Sequence, residues 1–145
     1  MKFSKKSRYG IRALICLALS NENERVALNT IAEKSEVSMQ YLEQIFAALR
    51  RAGIVRSVKG SQGGYFLNDL PENITVADIV KALDGSYLVE DELTGEQHDA
   101  ASETIQKLII DSINEKTEVV LKSMTLADLA QDCTSRSQQE YMYFI

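Results

Sequence analysis

Residues 38–67, SMQYLEQIFAALRRAGIVRSVKGSQGGYFL, constrain the fold of this chain more than any other stretch. Ser38 is a favoured helix N-cap, and Gly53 tolerates the left-handed conformation in which many helices end. Between them, apolar residues recur at three- and four-residue spacing and predict a helix of about four turns. They are Met39, Leu42, Ile45, Phe46 and Leu49. After Gly53, residues 54–58 and 65–67 predict two short strands around a glycine-rich turn.

The other face of this helix is polar. It carries Gln40, Tyr41, Glu43 and Gln44. When a helix N-terminus enters the major groove of DNA, Gln pairs with adenine and Glu accepts a hydrogen bond from cytosine. Solvated helices carry the same residue types, so this face alone is not specific for DNA.

A shorter helix in front of this one completes a helix-turn-helix pattern. Residues 30–33, TIAE, match a capping box and predict a helix over residues 30–36, followed by a tight turn into Ser38. The strands behind the longer helix then predict a wing. The glycine-rich turn does not favour nucleotide binding, because its spacing is not that of a phosphate-binding loop.

Charge is divided unequally along the chain. Residues 1–66 hold 11 Lys or Arg and 5 Asp or Glu, whereas the remaining residues hold 5 and 16. The first part therefore carries a formal charge of +6 and the second -11, within a net charge of -5. Phosphate neutralisation depends on basic side chains on one surface, so an acidic second half weakens long-range attraction without excluding DNA.

A first helix is predicted over residues 5–20, with an apolar stripe made of Ile11, Leu14, Ile15, Ala18 and Leu19. Its N-terminus carries Lys5, Arg8 and Tyr9, a group that suits a phosphate but is also common on solvated surfaces. Cys16 lies beside the stripe, and we expect a buried, unreactive thiol there.

Several function classes are disfavoured by the composition. No apolar run reaches the roughly 18 residues of a membrane span, and the N-terminus lacks a signal-peptide cleavage pattern. Cys16 and Cys133 form neither a disulfide framework nor a CxxC pair. We therefore expect a cytoplasmic protein without a membrane partner. A single histidine and no paired nucleophile give no support to an enzyme.

The rest of the chain predicts four further segments. A helix capped by Thr75 over residues 74–84 completes a DNA-binding domain of residues 1–84. An acidic loop over residues 85–101 is long enough to suggest function or mobility. Residues 102–134 hold a long helix and a short final helix capped by Thr125, and residues 135–145 form a C-terminal tail.

The long helix carries more apolar surface than one small domain needs for its core. Its stripe comprises Ile105, Leu108, Ile109, Ile113, Val119 and Val120, widened by Ile110 and Leu121. A two-fold dimer commonly covers such a face, and packing within the monomer is the alternative. The predicted fold class is mainly α with a small β-wing: a winged helix-turn-helix domain plus a long dimerisation helix.

The segments SKKSRYGIRAL, YLEQIFAALRRAGIVRSVKGSQGGYFL and ITVADIVKALDG together resemble the Rrf-type winged helix-turn-helix repressors of bacteria, over most of the chain. The resemblance implies a homodimer on double-stranded DNA, in which the recognition helix contacts bases and the wing enters the minor groove. Lys59 stands where the group usually has Arg. The DNA-binding candidates are Lys5, Arg8, Tyr9, Ser38, Gln40, Tyr41, Glu43, Gln44, Lys59, Gly60 and Ser61.

The resemblance also bears on cofactors. Members that bind an iron–sulfur cluster carry three cysteines in the loop before the long helix, whereas this chain has SYLVEDELTGEQHD there. Cys16 and Cys133 lie elsewhere, and a cluster needs four ligands, mostly thiolates. We therefore expect no cofactor. His98 alone cannot hold a metal, so we expect no metal site.

The C-terminal residues Tyr143, Phe144 and Ile145 are similar to the tail of the cysteine-metabolism regulators of this group. A terminal Ile carboxylate docks serine acetyltransferase into cysteine synthase, so the resemblance implies cysteine synthase as a partner of the tail. Packing of the tail on its own protein is the alternative.

The sequence thus predicts a repressor that binds a pseudo-palindromic operator as a homodimer and controls cysteine or sulfur metabolism. One alternative is a protein-interaction adaptor whose winged helix does not bind DNA. The other is a cluster- or redox-sensing regulator of the same family.

Overall fold

Capping side chains and glycines set several helix boundaries in the computed structural model. The structure describes residues 2–20, 24–60, 63–93, 95 and 98–143, with the backbone alone for Tyr141 and Tyr143. Within these residues, the helices are α1 Lys5–Ala18, α2 Leu28–Ser35, α3 Met39–Arg51, α4 Val76–Asp84, α5 Ala100–Thr104, α6 Asp111–Ser123 and α7 Leu126–Tyr143. The strands are β1 Val55–Val58 and β2 Gly64–Leu67, followed by a short 3-10 helix, Pro71–Asn73. A π-helical segment, Ile105–Ile110, joins α5 to α6, and we call these three pieces together the long helix.

α3 packs its predicted apolar face into the main core. Leu42, Ile45, Phe46 and Leu49 are fully buried, which confirms the predicted stripe at four positions. The prediction for Met39 is wrong, because this residue stands first in the helix and its side chain is 41% exposed. Burying a large apolar side chain contributes about 1.5–3 kcal/mol, so the four buried residues fix α3 against the core.

The buried side of α1 overlaps only in part with the predicted stripe: Leu14 is fully buried as predicted, whereas Ile11, Ile15 and Ala18 pack at the edge of the core. Its buried residues are Ser7, Gly10, Ala13, Leu14 and Leu17, whereas Leu19 is 52% exposed and Ile11 and Ile15 are half-buried. Gly10 explains the difference, because an added Cβ there would lie 2.4 Å from Cδ1 of Leu83 in α4. The missing side chain lets α4 approach α1 on this side.

The carboxylate of Asp84 ties the end of α4 to the start of α1. It accepts hydrogen bonds from the Ser4 N–H at 3.2 Å, from the Ser4 hydroxyl, and from the buried Ser7 hydroxyl at 2.7 Å. Burial by itself would raise the pKa of Asp84, but the bonds from Ser4 and Ser7 and the nearby charge of Lys6 lower this pKa below its ordinary value. The ionised carboxylate therefore stabilises the junction.

Asp84→Asn is expected to lower the free energy of unfolding at neutral pH by about 1–3 kcal/mol, because hydrogen bonds to a charged acceptor are lost. A depressed folded pKa gives stability that is present above the unfolded pKa and lost as the pH falls through the folded pKa. The difference between wild type and variant should therefore shrink as the pH falls below about 3.9. Urea unfolding at several pH values measures this. Asp132→Asn, on the exposed side of α7, serves as the control and should change little; a constant difference at all pH values would contradict the role of Asp84.

α2 starts earlier than predicted and without the predicted capping box. Its N-cap is Ala27, which makes no side-chain cap, and the Thr30 N–H donates to Oδ1 of Asn29 at 2.9 Å instead. At the other end Glu36 adopts φ of 59°, a left-handed conformation that favours glycine. The tight turn into α3 is thus formed by a residue with a side chain.

The wing is a two-stranded antiparallel sheet in which Val55 pairs with Leu67 and Val58 with Gly64. The expected short strand at residues 26–28 is present as a single bridge, with the Val26 N–H donating to Tyr65 O at 3.1 Å and the Tyr65 N–H donating back at 2.9 Å. A Cβ at Gly64 would lie 2.7 Å from the Val26 carbonyl oxygen. Glycine is therefore required where this third segment crosses the wing.

Two matching caps join α4 to α7. Thr75, the predicted N-cap of α4, forms a capping box with Asp78, and Thr125 and Asp128 exchange the same pair of hydrogen bonds at the start of α7. Between the two caps the Val76 N–H donates to Met124 O at 2.9 Å, and the Leu126 N–H donates to Ile74 O at 2.8 Å. The two helix N-termini are therefore paired as one antiparallel bridge.

α7 is longer than the sequence predicts. It runs to Tyr143, through the stretch that was expected to be a tail, although every side chain from residue 134 to residue 140 is exposed. Because these residues bury no apolar stripe, the hydrophobic periodicity of the sequence does not predict a helix there. None of the helices in the described part of the chain is long and apolar enough to span a membrane.

Candidate nucleic-acid interface

The N-terminal half of α3 presents a polar surface. Gln40, Glu43 and Gln44 are exposed, as the period of the helix predicts. The helix begins with Ser38, whose Oγ accepts from the Tyr41 N–H at 3.4 Å. Side chains of this kind at a helix N-terminus can reach base edges, since their amide and carboxylate groups supply both donors and acceptors.

Tyr41 connects this surface to α1. Its half-buried ring meets the ring of Tyr9 edge to face, with the ring centroids 5.5 Å apart and an angle of 88° between the planes. The structure thus brings together two predicted site residues from different helices. Both rings also pack against the main core, so they position the interface as well as contributing surface to it.

The start of α1 adds positive charge beside Tyr9. Lys5 and Arg8 are exposed. The Nε of Arg8 donates to the Phe3 carbonyl oxygen at 3.2 Å, and its guanidinium lies 5.1 Å from the centroid of the Phe3 ring. Phe3 was missed from the sequence, because no helical period includes a residue before the N-cap. This contact holds the guanidinium at the start of α1.

The wing supplies a second polar element. Lys59 and Gly60 are exposed at its tip, Gly60 has φ of 120°, and the Gly63 N–H closes the turn on Gly60 O at 2.9 Å. Ser61, the third candidate in the wing, lies outside the described residues. Arg56 on β1 is exposed and sits over the Phe66 ring at 5.1 Å, a further cation that the sequence argument did not single out.

The long helix presents a broad apolar face. Leu108 is 72% exposed and Ile109 53%, and the other exposed members are Ile105, Ile113, Val119 and Val120. On the inner side of the helix, Gln106, Ile110 and Leu121 are buried. The predicted stripe is therefore the outer face, while the residues that were thought only to widen it pack within the chain.

The acidic loop is held by side chains of the long helix. Oε1 of Gln106 accepts from the N–H groups of Glu92 and Leu93 at 2.8 and 3.3 Å, and its Nε2 donates to Asp91 and Asp111 at 3.0 and 2.9 Å. Further along, Asn114 donates to and accepts from the backbone of Val89, at 3.1 and 2.8 Å. Residues 89–93 of the acidic loop are therefore attached to the long helix by side-chain hydrogen bonds.

Tyr87 and Glu118 form the third attachment of this loop. The Tyr87 hydroxyl donates to Glu118 at 2.9 Å. Burial and the contact with Glu118 raise the pKa of Tyr87, while hydrogen bonds from Lys122 and Tyr87 lower the pKa of Glu118. The phenol thus stays protonated and the carboxylate ionised, which preserves the bond.

Gln106→Glu is expected to loosen the loop, because a carboxylate cannot donate to Asp91 and Asp111 and adds a third negative charge beside them. The unfolding free energy should fall by about 1–3 kcal/mol. The amides of Glu92 and Leu93 should exchange with deuterium markedly faster, as followed by hydrogen-exchange mass spectrometry. Gln131→Glu, an exposed site on α7, is the control. Unchanged exchange in the Gln106 variant would show that the side chain does not hold the loop.

The described residues contain no group of three or more His, Cys, Asp or Glu side chains that could hold a metal ion. Cys16 and Cys133 are half-buried free thiols. Burial raises the pKa of Cys16, and the charge of Lys34 partly offsets this rise. Cys16 thus remains mainly a neutral thiol, but it is half-buried and not fully buried as the sequence predicts.

Residues 3–132 match the Rrf2 family, described as iron-dependent transcriptional regulators. The chain belongs to the Rrf2 family. It is 38% identical to the HTH-type transcriptional regulator CymR of Bacillus subtilis (strain 168), with both chains covered completely. The solved structure of CymR, the global cysteine regulator of B. subtilis, has a TM-score of 0.76 at 37% identity, covering 90% of this chain and 97% of that one. The solved structure of T. potens IscR has a TM-score of 0.67 at 37% identity, covering 92% and 88%.

Membership of the Rrf2 family confirms the resemblance inferred from the sequence and the winged helix-turn-helix fold. The chain is a DNA-binding transcriptional regulator. Within that fold, α3 is the second helix of the helix-turn-helix, the element that lies in the major groove in DNA complexes of this motif.

Proposed function

We propose that the chain is a repressor that binds a pseudo-palindromic operator as a homodimer. The observation that carries this proposal is the division of α3 into two faces: Leu42, Ile45 and Phe46 are fully buried, while Gln40, Glu43 and Gln44 are exposed. Because the apolar face of α3 is packed into the core, its polar face can enter the major groove without a change in the core. Two-fold symmetry then places half-sites about 34–36 Å apart, or at a multiple of that distance.

DNA binding is tested by selecting genomic fragments and titrating the best one by fluorescence anisotropy at several salt concentrations. Glu43→Ala should relax base preference at one position of each half-site by about 1–3 kcal/mol, because a base-edge contact is removed. Lys59→Ala should weaken binding to all fragments similarly and lower the salt slope by about one for each protomer, since it removes a phosphate contact.

Gln131→Ala on α7 is the control for both variants. If wild type shows no preferred fragment in moderate salt, the repressor proposal fails and the protein-interaction adaptor gains support. The same titration after treatment with a chelator should give an unchanged affinity, because we also propose that the protein works without an iron–sulfur cluster. That part rests on the lack of cysteine in residues 85–101.

The homodimer is proposed from the outer face of the long helix. Six exposed apolar side chains on one helix form a large apolar patch for a small protein. In a two-fold dimer, the same face of a second copy would pack against this patch and bury it. Ile105, Leu108, Ile109, Ile113 and Val120 would form its centre. Val119 would lie beside them.

Leu108→Glu is expected to convert the dimer to a monomer, because it would bury a carboxylate in an apolar interface. Light scattering coupled to size-exclusion chromatography measures the mass directly. Leu70→Glu places the same charge on a residue with 52% exposure outside this face, and it should leave the dimer intact. A monomeric wild type, or a dimer that survives Leu108→Glu, would refute this interface.

The regulated pathway is proposed to be cysteine or sulfur metabolism. Support comes from the full-length similarity to CymR, which is the global cysteine regulator of its own organism. The C-terminal residues would then dock into cysteine synthase. α7 carries the chain to Tyr143, while Phe144, Ile145 and the side chain of Tyr143 lie outside the described residues.

Deleting residues 144–145 is expected to abolish binding to cysteine synthase, because capture of a terminal carboxylate depends on the last residue. Isothermal titration of cysteine synthase with the full chain and with the shortened chain measures the effect. Met142→Gln changes an exposed side chain but leaves the natural C-terminus in place, and it is the control. Equal heats for the full and shortened chains would eliminate the tail as the docking element.

A further inference from the structure

A groove with a volume of about 1000 Å³ lies between α1, the start of α2 and α7. This volume is at the upper end of the range of roughly 300–1000 Å³ that is usual for small-molecule sites. The groove is separate from the polar face of α3 and from the outer face of the long helix. α1 and α7 pack on each other, so the groove follows a junction between the helix-turn-helix unit and the C-terminal helix.

The floor of this groove is apolar. Ile11, Ile15 and Leu19 follow one another at four-residue spacing on α1, and Val26 adds a buried side chain next to them. These α1 residues are part of the stripe that the sequence assigned to the core. Since the contact at Gly10 turns another side of α1 inward, these three residues are left facing the groove.

The rim of the groove is cationic. Arg12, Arg25 and Lys34 are exposed around it, together with Arg8 at one end, whereas Glu24 is the acidic residue in the lining. The ion pairs within the described ranges of the chain join Lys122 to Glu118 and Arg136 to Asp132, so neither of them neutralises these cations. The combination is an apolar floor with four cations and one carboxylate among the lining residues, in a chain whose net charge is -5.

We propose that this groove binds a small organic anion with an apolar body and one or two carboxylate or sulfonate groups. The body would cover Ile11, Ile15 and Leu19. The acidic groups would pair with Arg12, Arg25 and Lys34 through charge-assisted hydrogen bonds. Arg8 is not needed, because its guanidinium already lies over Phe3.

The walls of the groove give such a ligand a route to the DNA-binding unit. Thr30 and Lys34 belong to α2, the first helix of the helix-turn-helix, and Cys133 belongs to α7. A molecule that contacts both helices stabilises one spacing between them, and by linkage it changes the affinity for DNA by the same factor as DNA changes the affinity for the ligand. This regulatory consequence rests on the proposed function, whereas binding in the groove does not.

Both cysteines of the chain line the groove and can report its occupancy. The experiment uses the full chain and 8-anilinonaphthalene-1-sulfonate, a fluorescent probe with an apolar body and one sulfonate. Its dissociation constant is measured by fluorescence titration. In parallel, the rates at which iodoacetamide alkylates Cys16 and Cys133 are followed by mass spectrometry with and without saturating probe.

We expect the probe to slow alkylation of both cysteines by at least about fivefold. The double variant Arg12→Gln with Lys34→Gln should raise the dissociation constant of the probe by about tenfold or more, because two charge-assisted hydrogen bonds are removed. Lys81→Gln with Lys116→Gln removes the same charge from exposed sites away from the groove and should leave the dissociation constant within about twofold of wild type. Circular dichroism verifies that both double variants are folded.

Two results would overturn the proposal. The first is a probe affinity that both double variants change equally. The second is alkylation that proceeds at the same rate with and without saturating probe. If the probe binds in the groove but the protein shows no preferred DNA fragment, the proposed ligand site stands and only the repressor proposal is refuted.

Discussion

Two backbone hydrogen bonds, from Val76 to Met124 and from Leu126 to Ile74, determine how the two halves of this molecule meet. They pair the N-termini of α4 and α7, and each of these helices is capped by its own Thr and Asp. α4 then serves two cores. Ile79 and Leu83 belong to the core of the DNA-binding unit, and Val76, Ala77 and Val80 pack with Tyr87 and Leu121 of the second half. α4 is therefore packed on both the long helix and α1, and its Leu83 lies against Gly10.

The parts of the fold that local signals define were predictable. The cap at Ser38, the stop at Gly53, the two wing strands and the cap at Thr75 each depend on neighbouring residues alone, and all are present. The side of α1 that faces the core was only partly predictable, because it depends on Gly10 meeting Leu83 more than seventy positions away. The start of α2 was predicted wrongly: the Thr30 N–H, which the Glu33 side chain would bind in a capping box, donates to the Asn29 side chain instead. The length of α7 was missed because the side chains of residues 134–140 are all exposed.

The candidate site likewise contains some residues that local signals predict and others that they do not. Gln40, Glu43 and Gln44 follow from the period of α3, since a residue opposite a buried stripe must be exposed. Phe3 lies under Arg8 and Phe66 lies under Arg56. Contacts of this kind produce no periodic pattern in the sequence, so they could not be predicted from it. The attachment of the acidic loop was hidden for a related reason. Gln106 and Asn114 are polar residues within a helix that was selected for its apolar stripe, and only the tertiary structure shows that their amides replace missing backbone partners.

The extent of α7 changes how the end of the chain has to be pictured. With 18 residues it is about 27 Å long, and the last described residue stands at its far end. A loose peptide loses about 1–2 kcal/mol of backbone entropy for each residue that a receptor immobilises. Residues already wound into a helix have incurred that loss during folding. Tyr143 thus stands at the end of a continuous helix, and a partner that binds this helix end loses less backbone entropy than one that has to order a loose peptide.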